Sequence, residues 1–158
     1  MAAPPDQRSA RASIEIEAPP EEVYELVADV SRVGEWSPEA TGARRASPAP
    51  KAGDTFWGFN RKGIWRWFTY CTVREAEPGK RFVFDVDFPP MPVSRWTYEL
   101  EPTATGCRVT ETWVDRREGP LGKPITWIGS VLIPGPRAPH NQRNIEASLQ
   151  QLKAVAER

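Results

Sequence analysis

The C-terminal stretch from Arg137 to Arg158, RAPHNQRNIEASLQQLKAVAER, constrains the fold more than any other part of this chain. Ile145, Leu149, Leu152 and Ala156 recur every three or four residues, so they share one face of a helix. Pro134-Gly135-Pro136 supplies the break in front of it. A long amphipathic helix is stable only when that face is buried. Upstream the sequence is almost entirely strand-like, so the helix must lie on a sheet. Asn141, Asn144 and Ser148 fall on or beside the apolar stripe. An amide under an apolar face needs a hydrogen-bond partner, which points to a cavity on that side.

The chain in front of the helix supplies the sheet. Arg11 to Ala18 alternates, with Ile14 and Ile16 on one side, and reads as a half-buried strand. Pro19-Pro20-Glu21-Glu22 opens a helix, because proline suits the first turn and acids suit its positive end. Val23, Leu26, Val27 and Val30 form its inner face. Ser31 is placed to cap a second short helix through Trp36, ended by Pro38. Six strands follow: Thr41 to Ser47, Thr55 to Asn60, Ile64 to Ala76, Arg81 to Phe88, Val93 to Glu101 and Cys107 to Arg117. Tight Gly- and Pro-containing turns join most of them, which makes an antiparallel meander. A further short helix is expected after Pro124, with Leu121, Ile125, Ile128 and Leu132 at helical spacing.

Strand parity then sorts side chains between the two faces. Trp65, Trp67, Thr69, Cys71 and Val73 share one side of their strand. Phe82, Phe84, Val86 and Phe88 share a side of the next, and Trp96, Tyr98 and Leu100 of the one after. In the last strand Val109, Glu111, Trp113 and Asp115 are in phase. Two carboxylates therefore point to the concave side, provided that no bulge reverses the phase.

Composition narrows the function classes. At 158 residues the chain suits one domain, with residues 1–10 as a flexible tail and 11–158 as the domain. The net charge is zero and the basic pairs Arg44-Arg45 and Arg116-Arg117 are short. This argues against nucleic-acid binding and against an extended cationic face for anionic lipid. Cys71 and Cys107 have no metal or redox spacing. The N-terminal stretch has no apolar core, and no run is long enough to insert stably in a membrane. A reduced, soluble, cytoplasmic protein without metal or cofactor is expected. His140 is the single histidine, which excludes a multi-histidine metal site. Its helical angle places it off the apolar stripe, at an exposed or rim position.

A strand, two short helices, a six-stranded meander and a long last helix form an order that resembles the helix-grip fold of the SRPBCC (START/Bet v 1-like) superfamily. The stretches IEIEAPPEEVYELVADVSRVGEWSPE, EAEPGKRFVF and SRWTYELEP look like its polyketide cyclase/dehydrase and lipid-transport branch. HNQRNIEASLQQLK is similar to the last helix of many bacterial members. The resemblance implies an α+β fold with about seven strands curved around the C-terminal helix, and a hydrophobic cavity between them. It makes Trp36, Trp57, Trp65, Trp67, Trp96 and Trp113 pocket candidates.

Phe84, Tyr98, Asp115, Asn141 and Asn144 complete the candidate binding set. Aromatic walls suit planar or lipid-like ligands, although several of these rings must simply fill the core. Trp57 lies in a strand with apolar residues at both parities. Glu111 is the candidate catalytic acid or base, since burial raises a carboxyl pKa. Pairing with an arginine or with Asn141 is the structural alternative, and it is the simpler role for Asp115 near its strand end. Three function classes follow. The first is binding of a hydrophobic small molecule by a monomer or weak homodimer. The second is a cyclase or dehydratase using Glu111 with Asn141 and His140. The third is a protein-partner module, chaperone-activator-like or antitoxin-like, which would need an exposed apolar patch, with Ile125 to Ile133 as the candidate.

Overall fold

The computed structural model describes residues 8–88, 91–117 and 137–158. The expected helix after Pro124 and the candidate patch Ile125 to Ile133 lie outside the described residues. The elements run β1 (Ser9–Ile16), α1 (Pro20–Ala28), a 3₁₀ turn (Val30–Glu35), β2 (Ala40–Arg44), β3 (Thr55–Lys62), β4 (Trp65–Glu77), β5 (Arg81–Phe88), β6 (Met91–Pro102), β7 (Cys107–Asp115) and α2 (Arg137–Ala156).

The strands form one antiparallel sheet in the order β1-β7-β6-β5-β4-β3-β2, so every neighbour from β2 to β7 is a sequential hairpin and β1 joins from the other end. This is the α+β helix-grip architecture. β1 starts at Ser9, two residues ahead of the expected strand, because Ser9 and Ala10 pair with Val114 and Trp113. α1 begins as its prolines dictate, with Pro20 in its first turn and Glu21 and Glu22 behind it. It buries Val23, Tyr24, Val27 and Ala28, and Tyr24 meets Phe82 edge-on at 6.2 Å. Ser31 does not cap the next turn; Asp29 precedes that turn, and the Ser31 hydroxyl bonds the Asp29 carboxylate at 2.5 Å.

Register shifts fall at Ala40/Gly42, Val73/Glu75 and Val86/Asp87. None interrupts β7, so its parity holds along its length: Leu100 faces Val109, Tyr98 faces Glu111, Trp96 faces Trp113 and Ser94 faces Asp115. The shift beyond Val86 ends the inward series of β5, and Phe88 is exposed instead of inward.

α2 lies across β1 and buries Ala138, Asn141, Ile145, Ser148, Leu149 and Leu152. It also covers the free edge of β1. The Gln142 side chain accepts from the Arg11 N–H at 3.0 Å and donates to the Arg11 carbonyl at 2.9 Å. The Lys153 ammonium donates to the Glu15 carbonyl at 3.0 Å, and the Glu157 carboxylate accepts from the Glu17 N–H at 2.9 Å. Two helix side chains thus occupy backbone groups of β1 that an edge strand otherwise offers to another chain, and Glu157, just past the helix, holds the residue that follows the strand.

On the convex face Asp85 is fully buried beneath arginines. Arg95 Nε donates to it at 2.6 Å and Arg74 Nε at 2.8 Å, and Arg116 approaches to 3.2 Å. Burial alone would raise the Asp85 pKa, but the hydrogen bonds and charges of these arginines hold it below the usual value.

Candidate functional site

A cavity of about 170 Å³ lies between the concave face and α2. Its apolar wall comes from Phe56, Trp67, Phe84, Trp96, Trp113 and Ile145. Phe84 packs against Phe56 and Phe82, each at 5.7 Å between ring centroids. Gly58 keeps the wall open beside them, since an added Cβ would stand 3.0 Å from Thr69 Oγ1.

The polar part of the wall is small and deeply buried. Glu111 is 3% exposed and Asn141 1%. The Tyr98 hydroxyl, on the strand beside Glu111, donates to Glu111 Oε1 at 2.8 Å. Among the described residues, Glu111 Oε2 and Asn141 Nδ2 have no hydrogen-bond partner. Burial pushes the Glu111 pKa up to about 8, against a smaller lowering by the Tyr98 hydrogen bond. Burial also raises the Tyr98 phenol well above its ordinary value, and the charge of Glu111 adds to this. At neutral pH the carboxyl is therefore protonated. Oε1 accepts from Tyr98, which leaves Oε2 as the oxygen placed to carry that proton toward the cavity.

A second cluster forms the rim. Glu39 Oε2 lies 2.7 Å from His140 Nε2 and accepts from Asn144 Nδ2 at 2.8 Å. Glu39 and Asn144 line both the cavity and a shallower depression beside it, which His140 also borders. Glu39 follows Pro38 in an irregular segment, where no periodicity marks a residue as inward, so the sequence reading missed it. Arg117 was missed for a similar reason, since it lies beyond the end of β7. It lines the cavity and grips Asp115 with Nε and Nη2, each at 2.9 Å. Burial would raise the Asp115 pKa, but these bonds lower it below the usual range. Asp115 keeps its predicted parity but is occupied by Arg117 and does not line the cavity.

Of the expected binding set, Trp67, Phe84, Trp96, Tyr98, Trp113, Asn141 and Asn144 line the cavity, together with Glu111. Three tryptophans do not. Trp57 is on the convex face, because its strand turns Phe56 and Gly58 inward, and it meets Phe68 at 5.8 Å and Tyr70 at 5.0 Å. Trp65 stands at the exposed start of β4. Trp36 is buried in the core after the 3₁₀ turn and is not on the cavity wall. Among the described residues no group of three or more histidine, cysteine or acidic side chains could hold a metal ion. Among the same residues no helix is long and apolar enough to cross a membrane.

A family profile for polyketide cyclase / dehydrase and lipid transport proteins matches residues 7–157. The chain belongs to this family. Its fold, the SRPBCC-type helix grip, is shared with several solved structures. Protein NE0264 from Nitrosomonas europaea is 15% identical with a TM-score of 0.68, over 98% of this chain and 96% of that one. The Polyketide_cyc-like protein Cgl2372 from Corynebacterium glutamicum is 27% identical with a TM-score of 0.55, over 94% and 88%. DynU16, a protein in the dynemicin biosynthetic locus, is 17% identical with a TM-score of 0.64, over 94% of this chain and 46% of that one. Comparison with curated proteins gave no match. Family and fold together point to hydrophobic ligand binding.

Proposed function

We propose that this protein binds a small, planar, polyketide-like hydrophobic molecule between the sheet and α2, anchored through an oxygen atom. One observation carries the reading. Glu111 Oε2 and Asn141 Nδ2, both buried and both without a partner among the described residues, lie on the wall of the same cavity. Buried polar atoms are paired as a rule. Two donors on one wall suit a single carbonyl, phenol or enol oxygen. An apolar cavity of roughly 150 Å³ is enough for one aromatic ring, so about 170 Å³ suits a group of one or two rings better than a long acyl chain. The free thiols Cys71 and Cys107 agree with a reducing, cytoplasmic setting.

Trp96 and Trp113 on the wall make fluorescence the direct test. Titration with one- and two-ring aryl ketones should give saturable quenching, and fatty acids should bind more weakly. Absence of saturation with every aryl ketone would refute the reading.

The rim favours a second reading, a cyclase or dehydratase. Glu111 is a buried acid, whereas Glu39 is held as an acceptor by His140 and Asn144. Two carboxyls on one cavity, one donating and one accepting, suit general acid and base roles. Glu111 would hydrogen-bond a ketone oxygen while Glu39 took a proton from the adjacent carbon. NMR would then record exchange of the α-protons of a bound aryl ketone for deuterium, lost in Glu39→Gln while binding remains.

A further inference from the structure

We infer that the ligand of this cavity is an acid as well as a ketone: an aryl ketone whose ring carries a carboxylate on the side away from the ketone, with Arg117 and Ser94 as its anchors. The inference rests on the binding reading above and names the substrate class within it. Three cross-strand pairs of β6 and β7 follow one another along the sheet. Tyr98 faces Glu111, Trp96 faces Trp113, and Ser94 faces Asp115. Successive pairs on one face of a sheet are roughly 7 Å apart, so the outer two are separated by about 13 Å. The middle pair is two indoles, both on the cavity wall. One outer pair brings the carboxyl of Glu111, and the other leads to Arg117 on the same wall. A benzene ring with two groups at opposite positions, and a hydrogen bond at each end, covers that length.

Arg117 is fixed in place. Its side chain is 11% exposed and that of Asp115 14%. Its backbone N–H donates to Asp115 Oδ1 at 2.9 Å, as does Nε, and Nη2 donates to Oδ2 at 2.9 Å. Arg8 Nη2 donates to the Asp115 carbonyl at 3.2 Å and to the Arg117 carbonyl at 3.5 Å. An arginine that needs only water for its charge extends to solvent. A guanidinium already held in one orientation loses less freedom when a ligand arrives. The edge formed by Nε and Nη2 is taken by Asp115, and Nη1 makes no hydrogen bond among the described residues. Arg117 lines the cavity and Asp115 does not. A ligand therefore meets the cation and not its counter-ion.

Ser94 supplies a second donor at this end. It is 3% exposed and on the cavity wall, and its hydroxyl makes no hydrogen bond among the described residues. A carboxylate has two oxygens to satisfy, and its strongest bonds are to charged donors. A guanidinium edge with a hydroxyl beside it suits that need. At the far end Glu111 is protonated at neutral pH and adds no negative charge. Glu39 lies in the rim cluster with His140 and Asn144 of α2.

Calorimetric titration with para-acetylbenzoic acid and para-acetylbenzamide at neutral pH isolates the charge, since the two share ring and ketone. The acid should bind about tenfold more tightly, the gain of a charge-assisted over a neutral hydrogen bond. Arg117→Gln alone leaves Asp115 buried and unpaired, so the informative variant combines it with Asp115→Asn. Circular dichroism of that double variant should match wild type, and acid and amide should bind within about twofold of each other. Ser94→Ala should cut the preference for the acid roughly threefold. Asn141→Leu, at the ketone end, should weaken both compounds alike and leave their ratio unchanged. Equal binding of acid and amide by the wild type would overturn the inference while the binding reading stands. An undiminished preference in either the double variant or Ser94→Ala would do the same. Binding of neither compound would overturn both readings.

Discussion

Tyr98 and Glu111 stand directly opposite each other on β6 and β7, and the phenol donates to Glu111 Oε1 at 2.8 Å. The pairing fixes which carboxyl oxygen remains available and turns it toward the cavity. Its acidity has a consequence for stability. The Glu111 pKa is raised from 4.5 to about 8. Between these values the folded chain holds a proton that the unfolded chain has released. Glu111 therefore contributes most below pH 4.5, and its contribution falls as pH rises to about 8. The loss is on the order of several kcal/mol. Urea titrations across that range should show it, and Glu111→Gln should flatten the profile. Equal pH slopes for variant and wild type would rule out a neutral buried carboxyl.

Asn141 separates stability from binding. Asn141→Leu removes a buried donor that has no partner, and should stabilise the ligand-free protein by about 1 kcal/mol. For a domain of this size that raises Tm by roughly 2–4 °C. The same change should weaken an oxygen-bearing ligand about tenfold, the loss of one hydrogen bond. Calorimetry of both quantities checks the prediction, and a lower Tm would mean that Asn141 is structural.

Asp85 neutralises three cations on the convex face. Asp85→Asn leaves Arg74, Arg95 and Arg116 facing one another, at a cost of about 3 kcal/mol. Because the Asp85 pKa is lowered on folding, its contribution is present above the ordinary carboxylate range and lost as pH falls through the folded value. Acid titration of wild type and variant should converge at low pH. Parallel curves would show that the carboxylate is dispensable.

Cys71 faces the cavity, yet burial pushes its thiol up to about 12, and burial raises Cys107 as well. Thiolate is the reactive form, so iodoacetamide at neutral pH should label neither residue until the chain is unfolded. Mass spectrometry of the native protein decides this, and rapid labelling of Cys71 would mean that its wall is open to water.

Periodicity made the strands, α1 and α2 legible, and β7 kept its phase, so Glu111, Trp113 and Asn141 could be read as neighbours of a cavity. Three kinds of information were not in the pattern. The register shift at Val86/Asp87 carried Phe88 to the outside. In β3 both parities are apolar, and only the pairing of Trp57 with Tyr70 placed that indole on the convex face. Glu39 and Arg117 lie in segments without a repeat, where sequence spacing says nothing about direction. The helical angle of His140 marks an exposed or rim position, but it gives no hint of its partner Glu39, 101 positions away.

The side chains of α2 divide two tasks between two faces. Asn141, Ile145 and Ser148 wall the cavity, while Gln142 and Lys153 occupy the backbone of β1. Lifting the helix to admit a ligand would unmask a strand edge at the same moment, so cargo exchange by that route would carry a risk of aggregation on every cycle. The architecture therefore favours traffic past Glu39 and Asn144, with the helix acting as a fixed clasp.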